Sequence, residues 1–267
     1  NHMSKIDAKD RFYYDKNFLG SSAGRSVRIL SEYYGPSRKM KRNKISDTIV
    51  FFGSARIMSH NKAKKALKHF PHNGNEHIRK RMEINLEMSR FYEEARELAK
   101  KLTIWSKELR QEKHRYTICS GGGPGIMEAA NRGASDAGGI NIGLTISLPC
   151  EISGNEWISD DLSIKFHYFF MRKFWFLYLA KALIVWPGGF GTLDELMELL
   201  TLIQTEKIKK RLPIVLYGKE FWEKVVNWKY LADIGTISPE DLDLFHISDN
   251  VKDSFEYVTD FLKTDKL

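Results

Sequence analysis

The clearest chemical signal in the sequence is the run Pro187-Gly188-Gly189-Phe190-Gly191-Thr192. Glycines let a backbone approach a ligand closely, and the helix expected to begin here offers free N–H groups and a partial positive charge. Both properties suit a phosphate group, and the Thr192 hydroxyl adds a further donor. Thr192 and Glu195 also fit the Thr-x-x-Glu pattern of a helix capping box, which would explain both residues without any function.

Two more glycine-bearing turns follow apolar, strand-like segments: Gly53-Ser54-Ala55-Arg56 and Ser120-Gly121-Gly122-Gly123-Pro124-Gly125. The second turn lacks the lysine of a Walker A motif, and Ile126 stands where a dinucleotide fingerprint has its third glycine. ATP hydrolysis and hydride transfer to a nicotinamide are therefore disfavoured. Because ligands of open parallel sheets sit beyond the carboxyl ends of the strands, the three turns are expected to border one nucleotide site.

Residues 166–175 place Arg172 and Lys173 inside a strongly apolar, aromatic segment. An arginine in such surroundings needs a partner or a water-filled cleft, so Arg172 is expected to face an anion, either a protein carboxylate or a ligand. The alternative is that its side chain snorkels to the surface. The four histidines between residues 60 and 77 lack the spacing of a zinc site, and no metal is expected.

Short apolar segments that resemble strands alternate with helical patterns along most of the chain. The expected strands are 48–52, 116–119, 141–146, 163–166, 182–186, 213–217 and 244–247. The expected helices are 84–109, 123–137, 170–180, 192–204, 220–232 and 251–262. This alternation predicts an α/β, Rossmann-like, doubly wound parallel sheet with helices on both faces.

We expect a single domain, with an N-terminal helical arm at residues 1–46 ahead of a nucleotide-binding core at 47–267. In the arm, apolar residues recur at helical spacing from Val27 to Tyr34, Ser21 or Ser22 is the expected cap, and Gly35-Pro36 is the expected stop. An ordered arm that packs on the core follows from this pattern. The aromatic residues 12–14 are its expected anchor.

Residues 58–82 are basic and lack clear periodicity, so they are expected to form an exposed insertion in the core. The net charge of +8 over 267 residues is compatible with nucleic acid, an acidic membrane or a phosphorylated ligand as partner. A charge run is usually a solvated face, so nucleic-acid binding is not expected.

The cysteine content and the absence of a long apolar stretch predict a cytoplasmic protein with no membrane partner. Neither Cys119 nor Cys150 belongs to a Cys-x-x-Cys pair, and Cys119 is expected to be a buried thiol because it falls in an apolar run. No apolar stretch approaches the roughly 20 residues of a membrane helix. The start, Asn1-His2-Met3, is typical of a cloning scar.

The order and spacing of these motifs resemble the signature of the LOG (LONELY GUY) family, long labelled lysine decarboxylase-like. Residues 187–195 resemble its Pro-Gly-Gly-x-Gly-Thr-x-x-Glu motif. Residues 53–56 resemble its first turn, 121–127 its second, and 171–173 its arginine-bearing helix. The arm is similar to that of longer bacterial members, and the resemblance covers roughly residues 20–220.

The resemblance implies a phosphoribohydrolase, which cleaves the N-glycosidic bond of a nucleoside 5′-monophosphate to give the free base and ribose 5-phosphate. The implied substrates are AMP or a cytokinin riboside monophosphate, with no cofactor. By residue match, Arg172 and Glu195 are the catalytic pair. The residues that would hold the nucleotide and its phosphate are Gly53, Ser54, Gly121, Gly122, Gly123, Met171, Gly188, Gly189, Gly191 and Thr192. Lysine decarboxylation is not expected, because pyridoxal enzymes need a Schiff-base lysine in a suitable motif.

A second hypothesis is a non-catalytic carrier or sensor of a phosphorylated ligand, because a sister group of similar fold carries molybdenum cofactor. The presence of both Arg172 and Glu195 favours catalysis, since a carrier needs only the phosphate-binding loop. Helices 169–180 and 193–203 have more apolar surface than one sheet face requires. A homodimer or larger homo-oligomer is therefore expected, as in family members.

Overall fold

The computed structural model describes residues 11–71, 74–109, 112–147 and 154–264. One sheet runs through these ranges, and all of its strands pair in parallel in the order β4-β3-β2-β1-β5-β6-β7. The strands are β1 (Thr48–Phe52), β2 (Thr117–Ser120), β3 (Asn141–Ile146), β4 (Ser163–Phe166), β5 (Ala180–Val185), β6 (Ile214–Tyr217) and β7 (His246–Ser248).

Helices cover both faces of this sheet. They are α1 (Lys16–Gly20), α2 (Arg25–Arg42), α3 (His60–Lys68), α4 (Glu76–Glu108), α5 (Ile126–Asp136), α6 (Phe169–Tyr178), α7 (Phe190–Gln204), α8 (Lys219–Val225), α9 (Trp228–Asp233) and α10 (Val251–Thr264). Short 3-10 helices occupy Phe12–Tyr14 and Pro239–Leu244. The α/β, Rossmann-like fold expected from the sequence is confirmed.

The central strands are buried on both faces, which explains their continuous apolar sequences. Successive side chains of a strand point to opposite faces, so Ile49 and Phe51 pack with α4, α5 and α10. Val50 and Phe52 pack in a separate cluster that includes side chains of α6 and α7. The two clusters form the two halves of the core.

The sheet reverses its winding direction between β1 and β5. The chain moves from β1 to β2 on one side, whereas from β5 it moves to β6 on the other side. At such a switch point the loops that follow the two strands diverge toward opposite faces and leave a crevice at the carboxyl edge. The fold therefore places a cleft between the turns that follow β1 and β5.

The segment after β6 differs from the sequence prediction. A single helix over 220–232 is wrong, because α8 ends at Val225 and α9 begins at Trp228. Asn227 separates them, and its side chain accepts a hydrogen bond from the N–H of Tyr230 at 3.0 Å. An asparagine that caps a new helix in this way interrupts what looks like one continuous apolar pattern.

Most of the described residues between 58 and 82 are helical, which their poor periodicity did not predict. They form α3 and the first turns of α4, which begins eight residues before the expected start at residue 84. Most of their side chains are exposed, but Ala63 is buried and the His60 ring lies 3.2 Å from the Ser89 hydroxyl. The α3 helix therefore packs against α4. His72 lies outside the described residues.

The helix of the arm continues through its proline. The expected stop at Gly35-Pro36 is wrong, since α2 runs to Arg42. Pro36 has no N–H to donate to the carbonyl of Glu32, and the indole Nε1–H of Trp175 donates to that carbonyl instead, at 2.9 Å. The tertiary contact thus replaces the missing helical bond.

The start of the arm also departs from prediction. Gly24, and neither Ser21 nor Ser22, is the N-cap of α2. The aromatic residues 12–14 are exposed, Phe12 by 73%, so they do not anchor the arm to the core. The expectation that the arm packs on the core holds, because Arg28 donates to the Tyr168 hydroxyl at 3.2 Å.

Cys119 is a free, buried thiol, as expected. Burial raises the pKa of this thiol far above its usual value, so the side chain behaves as a small apolar group. Residues 1–3 and Cys150 lie outside the described ranges. Across the described helices, we find none that combines the length and apolar character needed to cross a membrane.

Candidate functional site

A cleft of about 690 Å³ opens at the carboxyl ends of β1, β2 and β5. All three glycine-bearing turns contribute to its wall, together with side chains of α6 and α7. The sequence-predicted site residues that line it are Gly53, Ser54, Gly121, Gly123, Arg172, Gly189, Gly191, Thr192 and Glu195. The fold therefore brings most of the predicted site together in one place.

Ser54 fastens the three turns to one another through its backbone. Its N–H donates to the carbonyl of Pro187 at 3.0 Å, and its own carbonyl accepts from the N–H of Ile126 at 3.1 Å. The Ser54 hydroxyl accepts from the N–H of Arg56 at 3.1 Å, which closes the first turn on itself. These bonds hold the ends of β1 and β5 and the start of α5 in a fixed arrangement around the cleft.

A partly buried network of side-chain amides fixes the second turn. Asn155 donates to the carbonyls of Gly122 and Gly123, each at 3.1 Å, and to the side-chain oxygen of Asn131 at 2.9 Å. Gly122 has a φ of +71°, a conformation that a side chain would strain. The turn's carbonyls thus point into the protein, where Asn155 satisfies them.

The third turn leads straight into α7. Gly189 is the N-cap and its carbonyl accepts from the N–H groups of Thr192 and Leu193, both at 3.0 Å. The capping-box interpretation is therefore wrong, because Thr192 lies inside the first turn of the helix and Glu195 lies one turn further. Both side chains are buried and both line the cleft.

Three predicted site residues of the described chain lie behind the cleft wall. Met171 is buried in the core. A side chain at Gly188 would collide with the Thr192 hydroxyl, and one at Gly122 would collide with Thr145. These positions let neighbouring groups pack closely behind the wall.

Arg172 and Glu195 form an ion pair on the wall of the cleft. Arg172 Nη2 lies 3.5 Å from Glu195 Oε1, with side chains only 16% and 8% exposed. The guanidinium lies over the rings of Phe169 and Phe176, 5.2 and 5.6 Å from their centroids. Such rings favour a cation electrostatically and exclude water from it. The expectation that Arg172 faces an anion is confirmed for the protein carboxylate.

Burial raises the pKa of Glu195 from 4.5 to about 7, although the charges of Arg172 and Lys173 oppose this shift. Lys173 is held at 2.8 Å from Asp194 and 2.5 Å from Glu198, so its charge is shared with two other carboxylates. Desolvation thus outweighs the nearby cations. A carboxyl group with this pKa can exchange a proton near neutral pH.

Several cleft residues were not predicted as site residues. Phe169 and Phe176 lie three positions before and four positions after Arg172, on the same face of α6. This spacing is visible in the sequence, and it could have been used to predict that both rings lie in the cleft beside Arg172. Arg56 also lines the cleft, and Phe190 stands at its edge with 92% of its surface exposed.

The comparison with protein families agrees with these motifs. A family model described as "Possible lysine decarboxylase" matches residues 127–258, just under half of the chain. The matched part contains Arg172 and the Pro187–Glu195 motif. This match supports the resemblance to the LOG family. The search of curated proteins gives no match.

Solved structures of similar topology include the molybdenum cofactor carrier protein MCP of Chlamydomonas reinhardtii. It is 18% identical, covers 82% of this chain and 99% of its own, and has a TM-score of 0.41. A structural-genomics protein designated TM1055 is 18% identical with the same coverages and a TM-score of 0.44. At these identities and scores, neither likeness bears on activity.

Proposed function

We propose that this protein hydrolyses the N-glycosidic bond of a nucleoside 5′-monophosphate. In this reaction the C1′–N bond breaks, water adds its oxygen to C1′, and the base leaves with a proton. The products are the free base and ribose 5-phosphate. The observation that carries the proposal is the buried Arg172–Glu195 pair beside the N-terminus of α7, inside a cleft large enough for a nucleotide.

The phosphate would bind at the start of α7. The first N–H groups of this 15-residue helix point out of its N-terminus, where the helix dipole also favours negative charge. Gly189 and Gly191 have open space where a side chain would stand, so a ligand can approach their backbone. The Thr192 hydroxyl lies in the same turn of the helix.

Glu195 would act at the sugar. It lies one helical turn beyond Thr192, so a single rigid element would fix both the phosphate and the carboxylate. Departure of the base develops positive charge on the ribose, as in glycoside hydrolysis. An ionised Glu195 stabilises that charge, and its pKa of about 7 lets it accept a proton from the attacking water.

Arg172 would keep more of Glu195 ionised at neutral pH. Its charge lowers the pKa of Glu195 against the effect of burial. Without this charge, a larger fraction of Glu195 would be protonated at pH 7. The guanidinium also lines the cleft, where it would donate to a ribose hydroxyl.

The base would lie against the apolar part of the cleft wall, which includes Phe52, Met127, Ile146 and Phe176. Flat rings pack well against such surfaces. We propose AMP or a cytokinin riboside monophosphate as the substrate, which the resemblance to the LOG family implies. Among the described residues that line the cleft there is no lysine, which supports hydrolysis over a pyridoxal-type decarboxylation.

The deciding experiment incubates the protein with AMP, GMP, CMP, UMP and a cytokinin riboside monophosphate, and follows free base and ribose 5-phosphate by chromatography. Glu195→Gln and Arg172→Ala are the test variants. Glu223→Gln and Arg79→Ala are matched controls, because these residues form exposed ion pairs on other helices. We expect wild type and controls to release base and both test variants to lose the activity.

The alternative outcome would favour a different function. If no monophosphate is cleaved but nucleotides or pterins raise the melting temperature, hydrolysis is contradicted. The carrier or sensor hypothesis then replaces it, since the phosphate-binding turn would be occupied without any reaction.

A further inference from the structure

The N-terminus of α6, the helix that carries Arg172, is capped by a residue of the arm. The Glu32 carboxylate accepts hydrogen bonds from the N–H groups of His167 at 2.7 Å and Tyr168 at 3.2 Å. Tyr168 is the N-cap of α6. Backbone N–H groups at a helix start lack partners within the helix, and a carboxylate there also complements the helix dipole.

The same arm residue holds α6 a second time, further along the helix. The Glu32 carbonyl accepts from the indole Nε1–H of Trp175 at 2.9 Å, because Pro36 leaves that carbonyl without its helical donor. Trp175 is buried and lies three residues after Arg172. Glu32 therefore accepts hydrogen bonds from residues that precede Arg172 and from one that follows it.

Neighbouring arm residues strengthen this contact. Arg28 donates to the Tyr168 hydroxyl at 3.2 Å and to the carbonyl of Ser21 at 2.7 Å, which ties α2 to the segment before it. The Tyr33 ring lies 5.6 Å from that of Phe174 and 6.2 Å from that of Trp175. The contact thus joins two ordered helices through several kinds of interaction.

We propose that Glu32 is a positioning residue, which sets the orientation of α6 so that Arg172 meets Glu195. The expected effect on kcat rests on the proposed function. The expected effect on the position of α6 does not depend on it. Glu32 lies outside residues 127–258, the part that the family model matches. The arm would then contribute to activity by orienting a helix of the site, in addition to packing on the core.

The physical argument concerns the tolerance of an ion pair to small movements. Hydrogen bonds from backbone N–H groups to a carboxylate are stronger than those to a neutral amide. Glu32→Gln loses the charge but keeps one acceptor oxygen, whereas Glu32→Ala loses both. A shift of α6 by about 1 Å would lower turnover by about a hundredfold and a smaller shift would lower it less, while the phosphate site in α7 stays intact.

The experiment compares Glu32→Gln and Glu32→Ala with wild type and with Glu223→Gln, an exposed carboxylate on α8. Hydrogen–deuterium exchange would be followed in peptides covering 164–178. Glu195 would be titrated by carbon NMR, and kcat and KM would be measured on the best monophosphate. We expect faster exchange at 164–172 and a higher pKa for Glu195 in Glu32→Ala, with smaller changes in Glu32→Gln.

In the kinetic assay, we expect kcat to fall about tenfold or more in Glu32→Ala and KM to change by less than about twofold. The control should match wild type throughout. Unchanged exchange and an unchanged Glu195 titration in Glu32→Ala would overturn the proposal. So would an equal loss of kcat in all three variants, or a rise in KM without a fall in kcat.

The two proposals can fail separately. If wild type cleaves no monophosphate, the proposed function fails, while exchange and the Glu195 titration still decide whether Glu32 positions α6. If wild type is active and Glu32→Ala is folded and equally active, the positioning role fails and the proposed function is untouched. Circular dichroism of each variant establishes that it is folded.

Discussion

Arg172 Nη2 and Glu195 Oε1 lie 3.5 Å apart although the two residues belong to different helices. Arg172 is in α6, which precedes β5 in the chain, and Glu195 is in α7, which follows β5. The buried central strand between them therefore sets the separation of the pair. β5 is hydrogen-bonded on both sides, by β1 and β6, so both helices are connected to an interior strand of the sheet.

The rate of base release should depend on pH through Glu195. Its pKa of about 7 is raised above the usual value, and the proposed reaction needs the ionised form. We therefore expect kcat/KM to rise as pH increases from 6 to 8 and to level off above that. Initial rates at low substrate concentration would measure the profile. A rate that is flat across this range would contradict the role of Glu195.

Two neutralising substitutions should move that pH midpoint in opposite directions. Lys173 lowers the pKa of Glu195 and Asp194 raises it. Lys173→Gln should therefore move the acidic limb of the profile to higher pH, and Asp194→Asn should move it to lower pH. The shift for Asp194→Asn is expected to be smaller because its side chain is 60% exposed and screened by water. Shifts of the same sign would contradict this electrostatic account.

The free energy of unfolding should also depend on the ionisation of Glu195, but it should fall as pH increases, whereas the reaction rate rises. A carboxyl group whose pKa rises from 4.5 to about 7 on folding destabilises the folded state as pH increases through this range. Glu195→Gln removes this effect. Between pH 5 and pH 8 we expect the variant to gain roughly 2.5 kcal/mol in unfolding free energy relative to wild type. Urea unfolding at both pH values would measure it, and an equal difference at both would count against the raised pKa.

Adjacent glycines at the third turn should respond differently to the same substitution. A methyl group at Gly189 meets open space, whereas one at Gly188 collides with Thr192. Gly189→Ala should keep its stability but raise KM about tenfold, equivalent to losing one hydrogen bond to a charged group. Gly188→Ala should lose about 1–3 kcal/mol of stability from overpacking. Thermal unfolding and initial rates separate the two effects.

The exposed aromatic face of α6 should mediate self-association, a proposal that remains from the sequence. Phe170, Phe174 and Tyr178 are all exposed and border an apolar groove of about 400 Å³. We expect a homodimer in sedimentation at micromolar concentration and dissociation on Phe170→Glu. Tyr230→Glu, an equally exposed aromatic on α9, serves as the control. A monomeric wild type would contradict the proposal.

Much of the fold and of the candidate site follows from short-range patterns. Apolar runs of four to six residues predict the buried parallel strands, and observed bounds differ from the expected ones by no more than two residues for β1 to β6. The three glycine turns can be predicted because turn chemistry depends on neighbouring residues, and Glu195 was assigned from the resemblance to the LOG motif. Arg172 is legible because a cation in an aromatic segment requires a partner.

Only the tertiary structure decides the features that depend on residues far apart in the chain. The sequence by itself predicts a helix stop at Pro36, but Trp175, 139 positions away, supplies the donor that lets α2 continue. It also allows Thr192 as a helix cap, but Gly189 is the N-cap and the helix begins at Phe190. The sequence pairs Arg172 with Glu195, yet the burial that raises the pKa of Glu195 exists only once α6, α7 and the cleft wall are packed together. Local periodicity fixes which residues form each element, whereas desolvation and long-range hydrogen bonds arise from how the elements pack.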